Sequence, residues 1–242
     1  MSFITITLLS FLFLSPNAYS KAIDFYSKGA LENPEKINEN NDKIVKLFVK
    51  RKKLYTTKEM EGTLKKLADK IHTLFPDSEP LQIGDLSGIK GGKAPRHASH
   101  QNGLDADVVY LRNNRDIQDP TEPEWMEYFV RNDQISLNFD FNRNWEIFKY
   151  LTKNFPVGRI FVDQKIKEAY CKIAKKQVGS TEDKRVVNIL RRLRPAKYHK
   201  THFHLRLKCP KEYKECTPQA DPARGSGCDE FSLNSIEKVE TC

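Results

Sequence analysis

The stretch His202-Phe203-His204-Leu205-Arg206-Leu207 alternates polar and apolar residues without interruption. Side chains on a β-strand point to opposite faces in turn, so such a run folds as a strand with one face on a core. Phe203, Leu205 and Leu207 form that core face. His202, His204 and Arg206 then share the opposite face, where two imidazoles project side by side. The fold must accommodate a strand whose polar face carries metal-ligating chemistry.

A second segment matches it far upstream, Arg96-His97-Ala98-Ser99-His100-Gln101-Asn102-Gly103-Leu104-Asp105-Ala106-Asp107. With His199, the two segments hold five of the six histidines; only His72 lies elsewhere, on a predicted basic helix, where it reads as a plain surface residue. Asp105 to Leu111 is a strand candidate, and Gly103 allows a turn that brings His100 back beside Asp107. Imidazole and carboxylate donors from two distant segments, with one coordination position left to water, match the pattern of catalytic zinc. Structural zinc is normally closed by four ligands and favours Cys. Zinc polarises a carbonyl and acidifies water, so hydrolysis needs only one further base and an oxyanion stabiliser, roles open to His199 and His202. His97 stands as a candidate substrate group.

Other chemistries fit less well. Ser99 adjoins His100 but has no Gly-x-Ser-x-Gly elbow. No His-Glu-x-x-His occurs, and no glycine-rich phosphate loop precedes a helix. Asp105 and Asp107 could suggest a glycosidase pair, though carboxylates two apart on a strand more often bind metal or solvent. The net charge of +9 favours polyanions, but the basic residues are spread along the chain, and the one short run at 185–194 is a poor basis for nucleic-acid binding.

Ile4 to Leu14 is an apolar run of signal-peptide length, too short to span a bilayer, followed by Ala18-Tyr19-Ser20. This predicts a leader over 1–20 and an exported mature chain without stable membrane insertion. Cys171, Cys209, Cys216, Cys228 and Cys242 all fall in the last third, which suggests disulfides around the C-terminal tail, with one thiol left over or paired between chains in an oligomer.

Residues 21–60 read as an N-terminal arm, loose over 28–43. Leu64, Leu67, Ala68, Ile71, Leu74 and Phe75 mark a helix ended by Pro76. Further expectations are a strand at 81–83, a long surface loop over 84–103, a loop at Pro120 and Pro123, a strand over 135–139, a helix through Trp145, Phe148, Leu151 and Phe155, a strand at 159–162, helices over 166–176 and 182–192, and a strand over 198–208. Helices and strands mix without βαβ regularity, which predicts an α+β domain over 61–242 built on a small antiparallel sheet.

The segments Ser99-His100-Gln101-Asn102-Gly103-Leu104-Asp105-Ala106-Asp107-Val108 and His199-x-x-His202-Phe203-His204-Leu205-Arg206-Leu207-x-Cys209-Pro210 resemble the penicillin-insensitive murein endopeptidases, a family grouped with zinc peptidases of the lysostaphin and D-alanyl-D-alanine carboxypeptidase types. The resemblance runs from about Leu81 to Cys228 and includes Gly84-Asp85-Leu86-Ser87 and Gly91-Gly92. It implies a Hedgehog/DD-peptidase-like fold, one Zn²⁺ held by His100, Asp107 and His204, and His202 acting on the water. His199 stands where related carboxypeptidases place a Glu base. The implied activity is cleavage of D-alanyl-diaminopimelate cross-links in periplasmic peptidoglycan, without an active-site serine for β-lactams to acylate. The cysteine spacing implies Cys209–Cys216 and Cys171–Cys228 bridges. Cys242 departs from the pattern, because no cysteine precedes Cys171. A zinc D,D-carboxypeptidase and a non-catalytic zinc-stabilised murein-binding module are the alternatives.

Overall fold

The computed structural model describes residues 19–119 and 127–229; the expected leader core, the Pro120–Pro123 loop and Cys242 lie outside the described residues. In chain order the elements are β1 (Lys21–Ile23), β2 (Ala30–Glu32), β3 (Glu35–Lys36), β4 (Ile44–Lys46), β5 (Tyr55–Thr56), α1 (Lys58–Leu74), β6 (Leu81–Ile83), β7 (Asp105–Val109), β8 (Val130–Arg131), β9 (Gln134–Ile135), α2 (Phe141–Asn154), β10 (Val157–Val162), α3 (Gln164–Val178), α4 (Val187–Arg192), β11 (Leu193–Pro195) and β12 (His202–Leu207).

The α+β class holds, but the sheet is larger than expected and mixed. Six strands lie in the order β11-β10-β12-β7-β6-β4. The inner pairs β10–β12, β12–β7 and β7–β6 are antiparallel, whereas β11 and β4 add parallel strands at the two edges. The parallel edges come from segments the sequence reading left out of the sheet. Leu193–Pro195 follows a helix directly, and Ile44–Lys46 belongs to the stretch read as an arm.

Each long helix begins on a side-chain cap. Thr57 accepts from the Met60 N–H, Asp140 from Arg143 and Asp163 from Lys165. Met60, Leu64, Leu67, Ala68 and Ile71 give α1 its buried stripe. From α2, Phe148 meets Phe203 of β12 edge-to-face at 5.3 Å, so the apolar trio of that strand faces the helices as its alternation predicts.

Three local expectations fail for identifiable reasons. The strand over 135–139 is instead a hairpin, with β8 and β9 joined by Asn132 and Asp133, both left-handed (φ 47° and 58°), as a two-residue turn of the mirror type requires. Residues 182–186 are turns, and α4 starts only at Val187. Tyr198 is left-handed (φ 69°), which delays β12 until His202.

The segment 28–43 is not loose. Leu31 and Ile37 are buried, and just ahead of the segment the Tyr26 hydroxyl donates to the Leu207 carbonyl at 2.8 Å. Residues 84–103 lack named elements, as expected of a loop, yet Asp85, Leu86, Ser87 and 99–102 are buried. The two segments pair with each other, through Leu31 N to Lys90 O, Gly92 N to Gly29 O and Gln101 N to Tyr26 O. Together they roof the polar face of the sheet. Both bridges, Cys171–Cys228 and Cys209–Cys216, are formed.

Candidate active site

The site rests on the pairing of β12 with β7. His204 lies opposite Asp107 in register, and Arg206 lies opposite Asp105. The side chains of one cross-strand pair stand about 5 Å apart at their roots, close enough to converge on one point. His100 comes from the roof. Its backbone is left-handed (φ 65°), its carbonyl accepts from the Ser87 hydroxyl at 2.7 Å, and its N–H donates to Asp105 Oδ2 at 3.1 Å. Gly103 turns the chain at φ 79°, and a Cβ there would lie 2.8 Å from Leu31 Cδ1.

Three donor atoms meet at the centre. His100 Nε2 is 3.0 Å from His204 Nδ1 and 3.2 Å from Asp107 Oδ1, and His204 Nδ1 is 3.4 Å from the same oxygen. All three residues are at least 98% buried. Asp107 Oδ1 also sees His202 Nε2 at 3.5 Å, yet it accepts no well-aligned hydrogen bond among the described residues. A buried carboxylate oxygen ringed by imidazole nitrogens, none donating properly, lacks a partner that protein groups do not supply. A cation at the centre satisfies all of them. Donors at tetrahedral angles around a zinc-sized ion, with bonds of 2.0–2.1 Å, stand roughly 3.3 Å apart, which is the spacing seen here.

An overlapping set, His97, His100 and Asp107, also has its donor atoms within 4.8 Å of one another. His97 is the weaker member. Its Nε2 contacts Asp85 Oδ2 at 2.9 Å, while Nδ1 stays 3.9 Å from Asp107 Oδ2.

A ring of charges supports the centre. Arg206 grips Asp105 with two hydrogen bonds, at 2.8 and 3.0 Å, and His204 Nε2 lies 3.0 Å from Asp105 Oδ1 in a close contact too poorly angled for a hydrogen bond. This carboxylate orients the imidazole from behind. Asp85 does the same for His97 and takes Arg51 Nη1 at 3.0 Å. Burial pushes the Asp107 carboxyl up, but the charges of His100 and His202 outweigh it and hold the group well below the usual carboxylate range. Asp105 behaves alike, with Arg206 and His204 overcoming burial. For His100, burial works downward and the neighbouring Asp107 raises the imidazole above its ordinary value.

His202 and His199 line the same cavity of about 370 Å³, together with His97, Ser99 and Tyr198. Thr201 Oγ1 sits 2.9 Å from His202 Nδ1. His199 Nδ1 is 2.6 Å from the Lys197 carbonyl, and burial, then His202 and His204, push its pKa down to about 3. His72 is remote on α1, with Nδ1 3.0 Å from the Ala68 carbonyl. Every expected site residue thus meets in one place, and His72, read as a plain surface residue, stands apart from them. Asp85, Arg51 and Thr201 were not singled out as site residues. For Asp85 the available signal was the Gly84-Asp85-Leu86-Ser87 string.

A buried cluster of imidazoles and carboxylates, floored by a sheet beneath an open cavity, makes this a candidate metal site. The chain belongs to the penicillin-insensitive murein endopeptidase family, whose model matches residues 22–241. Relatives bearing that same description include proteins of Pectobacterium atrosepticum (32% identical over 154 residues, 60% of this chain and 50% of the relative) and Escherichia coli O157:H7 (31% over 150 residues, 60% and 52%). A Salmonella typhi relative is 33% identical over 150 residues, again 60% and 52%. The chain therefore spans about half the length of the relatives it matches.

Proposed function

We propose that the chain is a zinc endopeptidase that hydrolyses D-alanyl-diaminopimelate cross-links of peptidoglycan in the periplasm, with His100, Asp107 and His204 as the metal ligands. The mutual spacing of the three donor atoms, 3.0, 3.2 and 3.4 Å, carries this reading. The alternative triad through His97 is looser, and His97 is already committed to Asp85.

A bound Zn²⁺ supplies Lewis acidity towards a carbonyl and lowers the pKa of water towards neutrality. The protein's own groups do the rest. His202, with Nε2 directed to the centre and Nδ1 beside Thr201, takes the proton of the attacking water and returns it to the leaving amine. The low pKa of His199 keeps it neutral at pH 7. A carbonyl can only accept, so the Nδ1 facing Lys197 O carries the ring proton, and Nε2 is left as an acceptor. An imidazole in this tautomer is poorly suited to steadying an oxyanion, and so weak a base takes up a proton poorly at pH 7, so the proton transfers are assigned to His202. His97, on the cavity wall and held by Asp85, orients the peptide.

The test is digestion of purified sacculi by metal-loaded protein, with and without chelator, followed by product masses. Chelator-sensitive conversion of cross-linked dimers to monomers is expected. Dimers that survive but lose a terminal D-alanine point to a carboxypeptidase. No released product at all, with the protein bound to the sacculus, sinks the peptidase reading.

A further inference from the structure

The cavity at the metal centre opens sideways into a second, larger cleft of about 880 Å³, and Arg96, Lys197, Tyr198 and His202 line both. The cleft has no role in the chemistry derived so far. Its walls come from the hairpin tip, the start of α3 and the turn before β12. The N-terminus of α3 is not an open anion site, because the Asp163 side chain already caps it.

The charges of this cleft are unbalanced. Arg96, Lys165, Lys197 and Lys200 line it against two carboxylates, Asp133 and Asp163. Asp163 is engaged as a cap, and Lys165 lies 3.5 Å from Glu168. Lys197 and Lys200 are exposed, and the Lys200 ammonium acts on Asp163 across the cleft. They flank the turn that leads into the catalytic strand, five and two residues ahead of His202 respectively. Between them stands Tyr198, 88% exposed and left-handed at φ 69°. A bulky residue in that conformation costs about 1–2 kcal/mol, and nothing in the packing of an exposed ring offsets it. The strain places an aromatic face at the mouth joining the two cavities.

Resting on the peptidase reading above, we infer that this cleft is the subsite for one arm of the cross-linked peptide, and that Lys197 and Lys200 select an arm carrying free carboxylates while Tyr198 covers its backbone. The arm lies in the larger cleft, and its scissile end enters past His202. Ammonium–carboxylate pairs at a rim steer an anionic peptide and set its register, and they distinguish a carboxylate from an uncharged carboxamide of the same shape.

The probe is an acidic tetrapeptide of the murein stem type, in two forms, with its carboxyl groups free or converted to carboxamides. Calorimetric binding to the intact protein reads the cleft without turnover, so failure to digest sacculi leaves this measurement standing. The free-carboxyl form is expected to bind about tenfold more tightly, and K197Q/K200Q should erase that preference. Tyr198→Gly should raise the thermal midpoint by relieving the strain, yet weaken binding of both forms. Equal affinity for the two forms, or a preference that survives in K197Q/K200Q, overturns the assignment. A Tyr198→Gly protein that binds as the parent does removes the tyrosine from it.

Discussion

Replacing Asp105 by Asn tests whether the second row of charges holds the first. Asp105 is wholly buried and accepts from Arg206 Nε and Nη2 and from the His100 N–H, with His204 Nε2 beside it. Asparagine keeps the shape but turns one oxygen into an NH₂. That group faces the Arg206 guanidinium at either position, with the His204 ring beside one and the His100 N–H beside the other. Arg206, only 3% exposed, keeps its packing over Tyr26 at 4.3 Å but loses its counter-charge. Breaking one side of a buried pair costs about 3–5 kcal/mol. Loss of the carboxylate behind a ligating imidazole should also weaken metal binding by about 10–100-fold. The pH dependence has a definite sign. Asp105 titrates well below its unfolded range, so its contribution is complete above pH ~4 and disappears as the pH falls through the depressed native value. Denaturant unfolding at pH 7 and pH 3.5 measures the first effect, and competition with a chromogenic chelator measures the second. Parent-like stability at pH 7 together with parent-like metal affinity would refute the claim that this carboxylate organises the site.

Four further outcomes follow from named contacts. His204→Ala should abolish metal binding and activity together, whereas His202→Ala should retain metal by elemental analysis and lose about a hundredfold or more in turnover. Lys46 is buried, with its ammonium on the Leu47 and Gly84 carbonyls, and burial lowers its pKa to about 8. The unfolded chain thus holds one more proton between pH 8 and 10.5, and stability should rise by roughly 3 kcal/mol across that window, a slope Lys46→Met removes in pH-dependent unfolding. The Cys171–Cys228 bridge closes a 57-residue separation and Cys209–Cys216 one of 7, so removing them as Ser pairs should cost about 4 and 2 kcal/mol in denaturant titrations. Gly103→Ala puts a methyl against Leu31 and 3.0 Å from the Thr57 backbone nitrogen at positive φ, so it should lower both thermal midpoint and metal affinity by displacing His100.

What the sequence made legible was whatever carries its own period. The stripes of α1 and α2 and the alternation of β12 each repeat long enough to be read. The roof was not legible, because β1 to β4 are two or three residues long and too short to show alternation. Their Lys-, Glu- and Asn-rich surroundings suggested solvent, whereas Tyr26, Leu31 and Ile37 do the packing. The same gap hid Arg51, whose role depends on reaching Asp85 across the fold at 3.0 Å. The Asn132-Asp133 turn was readable in principle, but the apolar alternation after it suggested a strand.

The site is written in a strand register. With His204 opposite Asp107, both donors leave the sheet on the same side and at the same height, and the next pair on that face, Arg206 opposite Asp105, falls directly behind them. One register therefore sets both the donors and their electrostatic support. A slip by one residue would exchange His204 for Phe203 or Leu205 and carry every polar group of β12 into the core. The helices prevent this by binding the other face, where Phe148 holds Phe203. The roof's donor depends on that register, since the His100 N–H is anchored to Asp105, which Arg206 holds in turn. The apolar half of the alternation thus positions the imidazole half, and the burial that makes unpaired charge costly also holds the donors in place for a cation.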